Sequence, residues 1–312
     1  MFKSIIAFRI GATWAAPTIE ALETLMQRGR FVPCLPSEEE SVGWTPPRGK
    51  DHEPMLENIG GQWICSLLAE RKSVPSSAIM AEVERRCKDI EAQLGRAPGR
   101  RERKEMKEVV RVEMLPRAFA KRSSVMIWFD LANRLLLVGS SSFSVADTVL
   151  HQVLELMNAA GNVIPLSTLR TERSPASAMS EWLSTYEAPA GFTVDRDLEL
   201  KLPDNEKSVV RYARHALDID EVAGHIAAGK VPTMLALTWE SRVSLQLTDN
   251  LSVKKIELLD TIFENQEDEG GFDSDVAIIT GELSRMLPDL IAALGGEKID
   301  EEAADAEGDA AE

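Results

Sequence analysis

The chain is 312 residues long, with 44% hydrophobic side chains and 35 Lys/Arg against 51 Asp/Glu, a net charge of −16. That length suits two or three domains or one large α+β body with insertions, and the apolar fraction is enough for a sizeable core. No run of about 18 apolar residues occurs, which leaves no helical membrane anchor, and an overall acidity of this size argues against a uniformly basic nucleic-acid-binding surface.

Residues 4–10, SIIAFRI, alternate as a strand, and MFKSIIAFRI lacks the long apolar block and small-residue cleavage site of a secretory leader, so a cytoplasmic location is expected. Residues 18–28 bring Ile19, Leu22, Leu25 and Met26 to one helical face. FVPC (31–34) and GWTPP (43–47) bracket a Pro-rich, acidic loop, and QWICSLLAER (62–71) reads as the second strand. The three cysteines, Cys34, Cys65 and Cys87, stand far apart without a C-x-x-C pair; reduced thiols serving as small buried hydrophobes are expected.

Residues 82–122 differ from everything around them, holding 13 Lys/Arg against 8 Asp/Glu, a net of +5 in an acidic protein. Ile79, Val83, Cys87, Ile90 and Leu94 form a narrow apolar seam on one helix, Pro98-Gly99 breaks the chain, and Met106, Val110 and Met114 form a matching seam on a second. The expectation is a projecting αα-hairpin. Arg100, Lys104, Lys107 and Arg111 fall at i, i+4, i+7 and i+11, a cationic stripe able to follow a polyanion. The interleaved Glu102, Glu105 and Glu108 can equally pair with those cations, so composition alone also fits a solvated surface hairpin.

Beyond the hairpin, residues 124–130 and 134–140 pattern as a β-hairpin, and 143–159 as a helix with Val145, Val149, Val153, Leu156 and Met157 inward. A helix near 176–186, a strand at 208–217 and a helix at 218–229 ending on Gly229 follow. Residues 231–239, 241–249 and 251–259 read as an antiparallel meander, and 273–294 as a long apolar helix interrupted near Pro288. The expected class is α+β, antiparallel sheets with packed helices. Its expected parts are an N-terminal α+β part (1–75), the hairpin or tip (76–122), a central α+β part (123–200), a C-terminal α+β part (201–296) and a disordered acidic tail (297–312). The acidity is concentrated at one end, since residues 257–312 hold 18 acidic and 2 basic side chains.

Motifs of catalysis are weak. Gly224 to Lys230 resembles the start of a phosphate loop, but Val231 stands where a magnesium-binding hydroxyl is needed, and the segment runs from helix to strand rather than strand to helix. His52, His151, His215 and His225 show no metal-ligand spacing, and His151 with Glu155 reads as a surface pair. Asp195, Asp197, Glu199 and Lys201 faintly suggest a nuclease, yet the alternation of VDRDLELKL fits the exposed face of a strand better. No metal, cofactor or catalytic set is expected.

Several blocks do match a known pattern. FVPC, GWTPP, MLPRAF (114–119), IWFD (127–130), HIAAGKVPTMLALTW (225–239) and ITGELSRMLPDLIAALGGE (279–297) resemble, in order, the bacterial recombination-associated family RdgC, with only the acidic tail outside the pattern. The resemblance implies a non-enzymatic, sequence-independent DNA-binding protein, cytoplasmic and nucleoid-associated. It also implies a ring-shaped homodimer that encircles duplex DNA and restrains RecA-dependent recombination. It places the family's tip on the basic hairpin, its ring-closing Phe on Phe119 and its G-K-V lysine on Lys230. Further phosphate-contact candidates by charge are Arg117, Lys121, Arg122, Arg211, Arg214, Lys254 and Lys255. The rival reading is a module whose hairpin and acidic tail bind recombination proteins, with DNA incidental.

Overall fold

The computed structural model describes residues 1–50, 52–203, 205–217, 219–262 and 271–298. Its elements in chain order are β1 (Ser4–Ile10), α1 (Ile19–Arg28), β2 (Glu40–Thr45), β3 (Leu56–Ile59), β4 (Gln62–Lys72), α2 (Ser76–Leu94), α3 (Arg100–Met114), β5 (Ala120–Asp130), β6 (Leu135–Val138) and α4 (Phe143–Ala159). There follow β7 (Leu166–Thr168), α5 (Pro175–Thr185), β8 (Phe192–Leu202), β9 (Asn205–Tyr212), α6 (Asp220–Ala227), β10 (Val231–Trp239), β11 (Val243–Thr248), β12 (Val253–Leu258) and α7 (Phe272–Ala293). Helices and antiparallel strands mix without regular alternation, so the fold class is α+β. Among the described residues no helix is long and apolar enough to cross a membrane.

The chain divides into two compact units, Met1–Leu25, Leu56–Cys65 and Met126–Glu312 in the first, and Met26–Met55 with Ser66–Val125 in the second. In the first unit β1 pairs with β6 on one side, its partners running from Ile6↔Val138 to Arg9↔Leu135, and with β12 through Ser4↔Lys254. The ladder continues antiparallel from β12 through β11, β10 and β8 to β9. Alternation makes this a one-sided apolar surface: Leu198, Leu235, Leu237, Leu245 and Leu247 are buried in the cluster that α5 and α7 supply with Met179, Trp182, Val276, Leu283 and Leu290.

Two corrections concern α7 and the stretch before β4. The apolar 273–294 segment is one continuous helix despite Pro288. Proline removes the N–H that the carbonyl of Ser284 needs, and Asn133 replaces it, its Nδ2 donating to Ser284 O at 2.8 Å and to the buried Asp130 at 2.7 Å. Ser284 Oγ donates to the same carboxylate at 2.6 Å. Strands β2 and β3 had no sequence signal of their own, because Gly, Pro and charged residues interrupt their alternation. Of the tail expected to be disordered, residues 297–312, Glu297 is held by Thr171 and Arg9 and the Lys298 N–H by Arg170 O, while residues 299–312 lie outside the described residues.

In the second unit β2 pairs antiparallel with the second half of β4, from Glu40↔Arg71 to Thr45↔Ser66. Gly43 is required there: a Cβ would come within 2.4 Å of Phe31 Cα, so the backbones of β2 and residue 31 touch. Helices α2 and α3 form the expected hairpin, α2 ending on Gly95 at φ 66° and α3 starting after Pro98-Gly99. Their seam buries Ile79, Val83, Cys87 and Val110, with Val74, Met106 and Met114 packed against it. Leu94, expected in the seam, is 64% exposed, since α3 begins beyond the reach of that last turn of α2.

Asn133→Ala is expected to cost about 1–3 kcal/mol, because it leaves the Ser284 carbonyl and part of Asp130 unpartnered. Urea denaturation checks this. The double variant Asn133→Ala, Pro288→Ala should lose less than Asn133→Ala relative to its own Pro288→Ala parent, since alanine restores the missing N–H.

A candidate nucleic-acid interface

The hairpin of the second unit settles how its charges pair. Of the glutamates interleaved on α3, Glu102 binds Arg96 at 2.8 Å and also accepts the Gly99 N–H at 2.7 Å, while Glu105 binds Arg101 at 2.9 Å. Hydrogen bonds from Arg96 and Gly99 hold the Glu102 carboxyl down at about 2, and those from Arg85 and Arg86 do the same for Glu82. Glu113 is taken by Arg86. These carboxylates thus stay ionised and committed to arginines outside the stripe.

Within the stripe only Arg111 is engaged, with Glu39 at 2.6 Å and Glu108 at 4.0 Å. Arg100, Lys104 and Lys107 are exposed, and their side chains make no ion pair or hydrogen bond among the described residues. Helical geometry places the four cations within an arc of about 60°, the three unpaired ones spread over about 10 Å along the axis. Arg103, which the i, i+4 pattern did not select, is also exposed and unpaired among the described residues, about 40° outside that arc.

The base of the hairpin carries a second group. Arg117 and Lys121 are exposed and unpaired among the described residues, and Phe119 between them is 95% exposed. Arg117 and Phe119 line a groove of about 700 Å³ with Pro75, Glu82, Arg86 and Met114. Arg122 differs from its neighbours. Its Nε donates to the buried Glu70 at 2.7 Å and its guanidinium lies 5.5 Å from the centre of the Phe31 ring. Glu70 also accepts the Cys34 N–H at 2.9 Å, and Lys72 caps the carbonyl of Leu35 at 2.6 Å. The Arg122 hydrogen bond, then that of Cys34, holds the Glu70 carboxyl below its usual range. Phe31 and Cys34 of FVPC thus help fix Arg122, the first by ring contact and the second through Glu70, and Gly43 of GWTPP lets the backbone of Phe31 come close.

In the first unit, the solvent face of β8 to β12 gathers Arg196, Arg214, Lys254 and Lys255. Arg196, Arg214 and Lys255 border a cavity of about 460 Å³ with Asp195, Asp197, Gln246 and Glu257. Successive residues of a strand normally face opposite ways. Here a bulge opposite Leu245 puts Lys255 in the left-handed region at φ 47°, so Lys254, which is paired with Gln246, and Lys255 share one face. Arg196 was missed for a similar reason: strict alternation places it with the core residue Leu198, but an irregularity between Val194 and Leu198 frees it. Arg211 is bound to Glu199 at 2.5 Å, and Lys230 lies 3.3 Å from His225 Nδ1.

The carboxylates that faintly suggested a nuclease are individually occupied. Asp195 accepts from Thr238 at 2.8 Å, Asp197 from Gln246 at 3.2 Å and from the Arg214 N–H at 2.9 Å, and Glu199 from Lys201, Thr233 and Arg211. Among the described residues no group of three or more His, Cys, Asp or Glu is placed to hold a metal ion. His151 and Glu155 are an exposed pair at 3.6 Å. Cys65 and Cys87 are buried free thiols, and Cys34 is half-buried.

Fold and surface together define an α+β protein whose distinguishing feature is unpaired cations set on rigid elements. Residues 1–297 match the family described as "Putative exonuclease, RdgC". The chain is 41% identical to the "Recombination-associated protein RdgC" of Herminiimonas arsenicoxydans, over 95% of this chain and 98% of that one. It is 40% identical to the proteins of the same name from Dechloromonas aromatica, over 96% and 99%, and from Janthinobacterium sp., over 95% and 98%. The chain belongs to the RdgC family of recombination-associated proteins.

Glu199 supplies an acid-sensitive clasp. Burial opposes its ionisation, but hydrogen bonds from Lys201, Thr233 and Arg211 outweigh that and lower it from 4.5 to about 2. A depressed carboxylate stabilises the fold above its ordinary value and loses that contribution as pH falls through the folded one. The stability of the first unit is thus expected to drop between about pH 4.5 and 2, less so in Glu199→Gln, as followed by the tryptophan fluorescence of chemical denaturation.

Proposed function

We propose that this chain is a non-enzymatic, sequence-independent DNA-binding protein that encircles duplex DNA as a ring-shaped homodimer and restrains RecA-dependent recombination, cytoplasmic and associated with the nucleoid. The observation that carries the reading is the unpaired set Arg100, Lys104 and Lys107 on α3, left free while Glu102 and Glu105 are held by Arg96 and Arg101 and Glu108 lies 4.0 Å from Arg111. Cations on a rigid frame contact phosphates and carry affinity without sequence information. The family's printed association with recombination supports DNA as the polyanion.

Phe119 is the proposed dimer contact. A phenylalanine 95% exposed between Arg117 and Lys121 is open to a partner surface, which supports this reading. Arg117, Lys121, Arg211, Arg214, Lys230, Lys254 and Lys255 are proposed as further phosphate contacts, while Arg122 positions the hairpin base through Glu70 and Phe31.

Affinity for random duplexes should fall steeply between about 50 and 200 mM salt and be alike for unrelated sequences. A flat salt response would favour the rival in which the hairpin binds recombination proteins. Release of nucleotides from duplex DNA by the purified protein would favour the exonuclease of the family's description. Lys104→Glu with Lys107→Glu is expected to weaken binding at least tenfold and to reduce the slope of log affinity against log salt by about 2. Unchanged binding would remove the hairpin from the interface. Phe119→Ser should weaken self-association in sedimentation experiments without lowering the melting temperature, because the ring contributes nothing to the core.

A further inference from the structure

Residues 299–312, IDEEAADAEGDAAE, carry seven Asp/Glu and no Lys/Arg. They lie beyond the 1–297 stretch that matches the family, so the shared fold does not account for them. Their point of departure is well fixed. Glu297 forms a bridge with Thr171 and a bidentate pair with Arg9, whose Nε donates to Oε1 at 2.7 Å, and the Lys298 N–H donates to Arg170 O at 2.9 Å. The segment therefore leaves the first unit beside Arg9, near one end of β1.

At the other end of the same strand, Ser4 is the ladder partner of Lys254. Five residues of strand separate Ser4 from Arg9, about 17 Å. Fourteen residues span up to about 45 Å when extended, so the acidic segment reaches Lys254 and the cavity beside it with length to spare. That surface is the cationic one. Around the cavity and the adjoining β8–β9 edge stand Arg196, Lys201, Arg211, Arg214, Lys254 and Lys255 against the carboxylates Asp195, Asp197, Glu199 and Glu257. Arg196, Arg214 and Lys254 have side chains without an ion pair among the described residues, and Lys255 is only 3.9 Å from Asp197.

We propose that residues 299–312 dock on this patch, with Lys254, Lys255, Arg214 and Arg196 as their principal contacts, and compete there with nucleic-acid phosphates. The docking is an interaction of this chain with itself. The competition rests on the DNA-binding reading above. A tethered polyanion is present at an effective concentration set by its short connection, commonly in the millimolar range, so even a weak contact suppresses weak phosphate binding more than strong binding. The segment thereby raises the threshold for occupying DNA at low salt, and its influence fades as salt screens both contacts.

The test uses the full chain with the seven acids neutralised (D300N, E301Q, E302Q, D305N, E307Q, D309N, E312Q). Anisotropy with a random-sequence labelled duplex is expected to show about fivefold to tenfold tighter binding than the parent at about 50 mM salt, the difference shrinking towards 200 mM. In a second arm, a labelled peptide of residues 299–312 is titrated with the neutralised chain and with the neutralised chain carrying Lys254→Glu and Lys255→Glu. Binding to the first and loss in the second is expected, and the peptide arm separates docking from a general change in net charge. Peptide that binds neither chain, or both alike, overturns the docking while DNA affinity stays available to support the function above. Peptide bound at the lysines, with no duplex bound by parent or neutralised chain, upholds the docking and overturns the competition together with the DNA-binding reading.

Discussion

Which guanidinium each carboxylate holds is the constraint on which the surface of this protein depends. In the hairpin unit Glu82, Glu102, Glu105, Glu113, Glu39 and Glu70 are held by Arg85 and Arg86, Arg96, Arg101, Arg86, Arg111 and Arg122 respectively. None is held by a lysine of the stripe. The forked guanidinium matches a carboxylate with two parallel donors, whereas an ammonium on a flexible stem offers only a point charge. In the hairpin unit these glutamates are held by arginines, and Lys104 and Lys107, together with Arg100 and Arg103, are left over. Exposed ion pairs contribute little to stability, so the larger effect of those on α2 and α3 is to decide which positive charges stay available.

Those available charges matter only if their frame is stiff. The seam of Ile79, Val83, Cys87 and Val110 fixes α3 on α2, and Gly95 with Pro98-Gly99 fixes the reversal between them. At the base, Phe31, Cys34, Glu70, Lys72 and Arg122 form one connected set, which depends on Gly43 letting two backbones touch. Several of the most recognisable residues in the sequence are thus scaffolding. Phe31 and Cys34 of FVPC and Gly43 of GWTPP belong to the set that holds the hairpin base.

Much of this was legible beforehand. The α+β class, the hairpin with its break at Pro98-Gly99, and the stripe on α3 follow from periodicity and charge, because helical spacing converts sequence directly into a face. Four features were not legible. The continuity of α7 through Pro288 depends on Asn133, about 150 residues away in sequence. The pairing of Glu102 with Arg96 and of Arg122 with Glu70 depends on tertiary placement that no local pattern encodes. The grouping of Lys254 with Lys255, and the outward turn of Arg196, depend on bulges, which reverse the parity that a strand pattern assumes. Leu94 fails as a seam residue only because α3 starts too late to cover it. Period-based reading fails where a single residue shifts register or where a distant side chain supplies a missing donor.

A strongly acidic chain is compatible with the proposed DNA-binding surface because the two charges act over different distances. At physiological ionic strength the potential of an exposed charge decays over about 8 Å, so a phosphate on the α3 stripe responds to Arg100, Lys104 and Lys107 far more than to carboxylates farther away. The net charge of −16 governs what happens elsewhere on the surface. There it disfavours contact with polyanions and suppresses the unselective adhesion that a uniformly basic protein shows. On the proposed reading, local cations set where a polyanion is held and the acidic remainder sets where it is not, which is the division that the proposed docking of residues 299–312 would exploit.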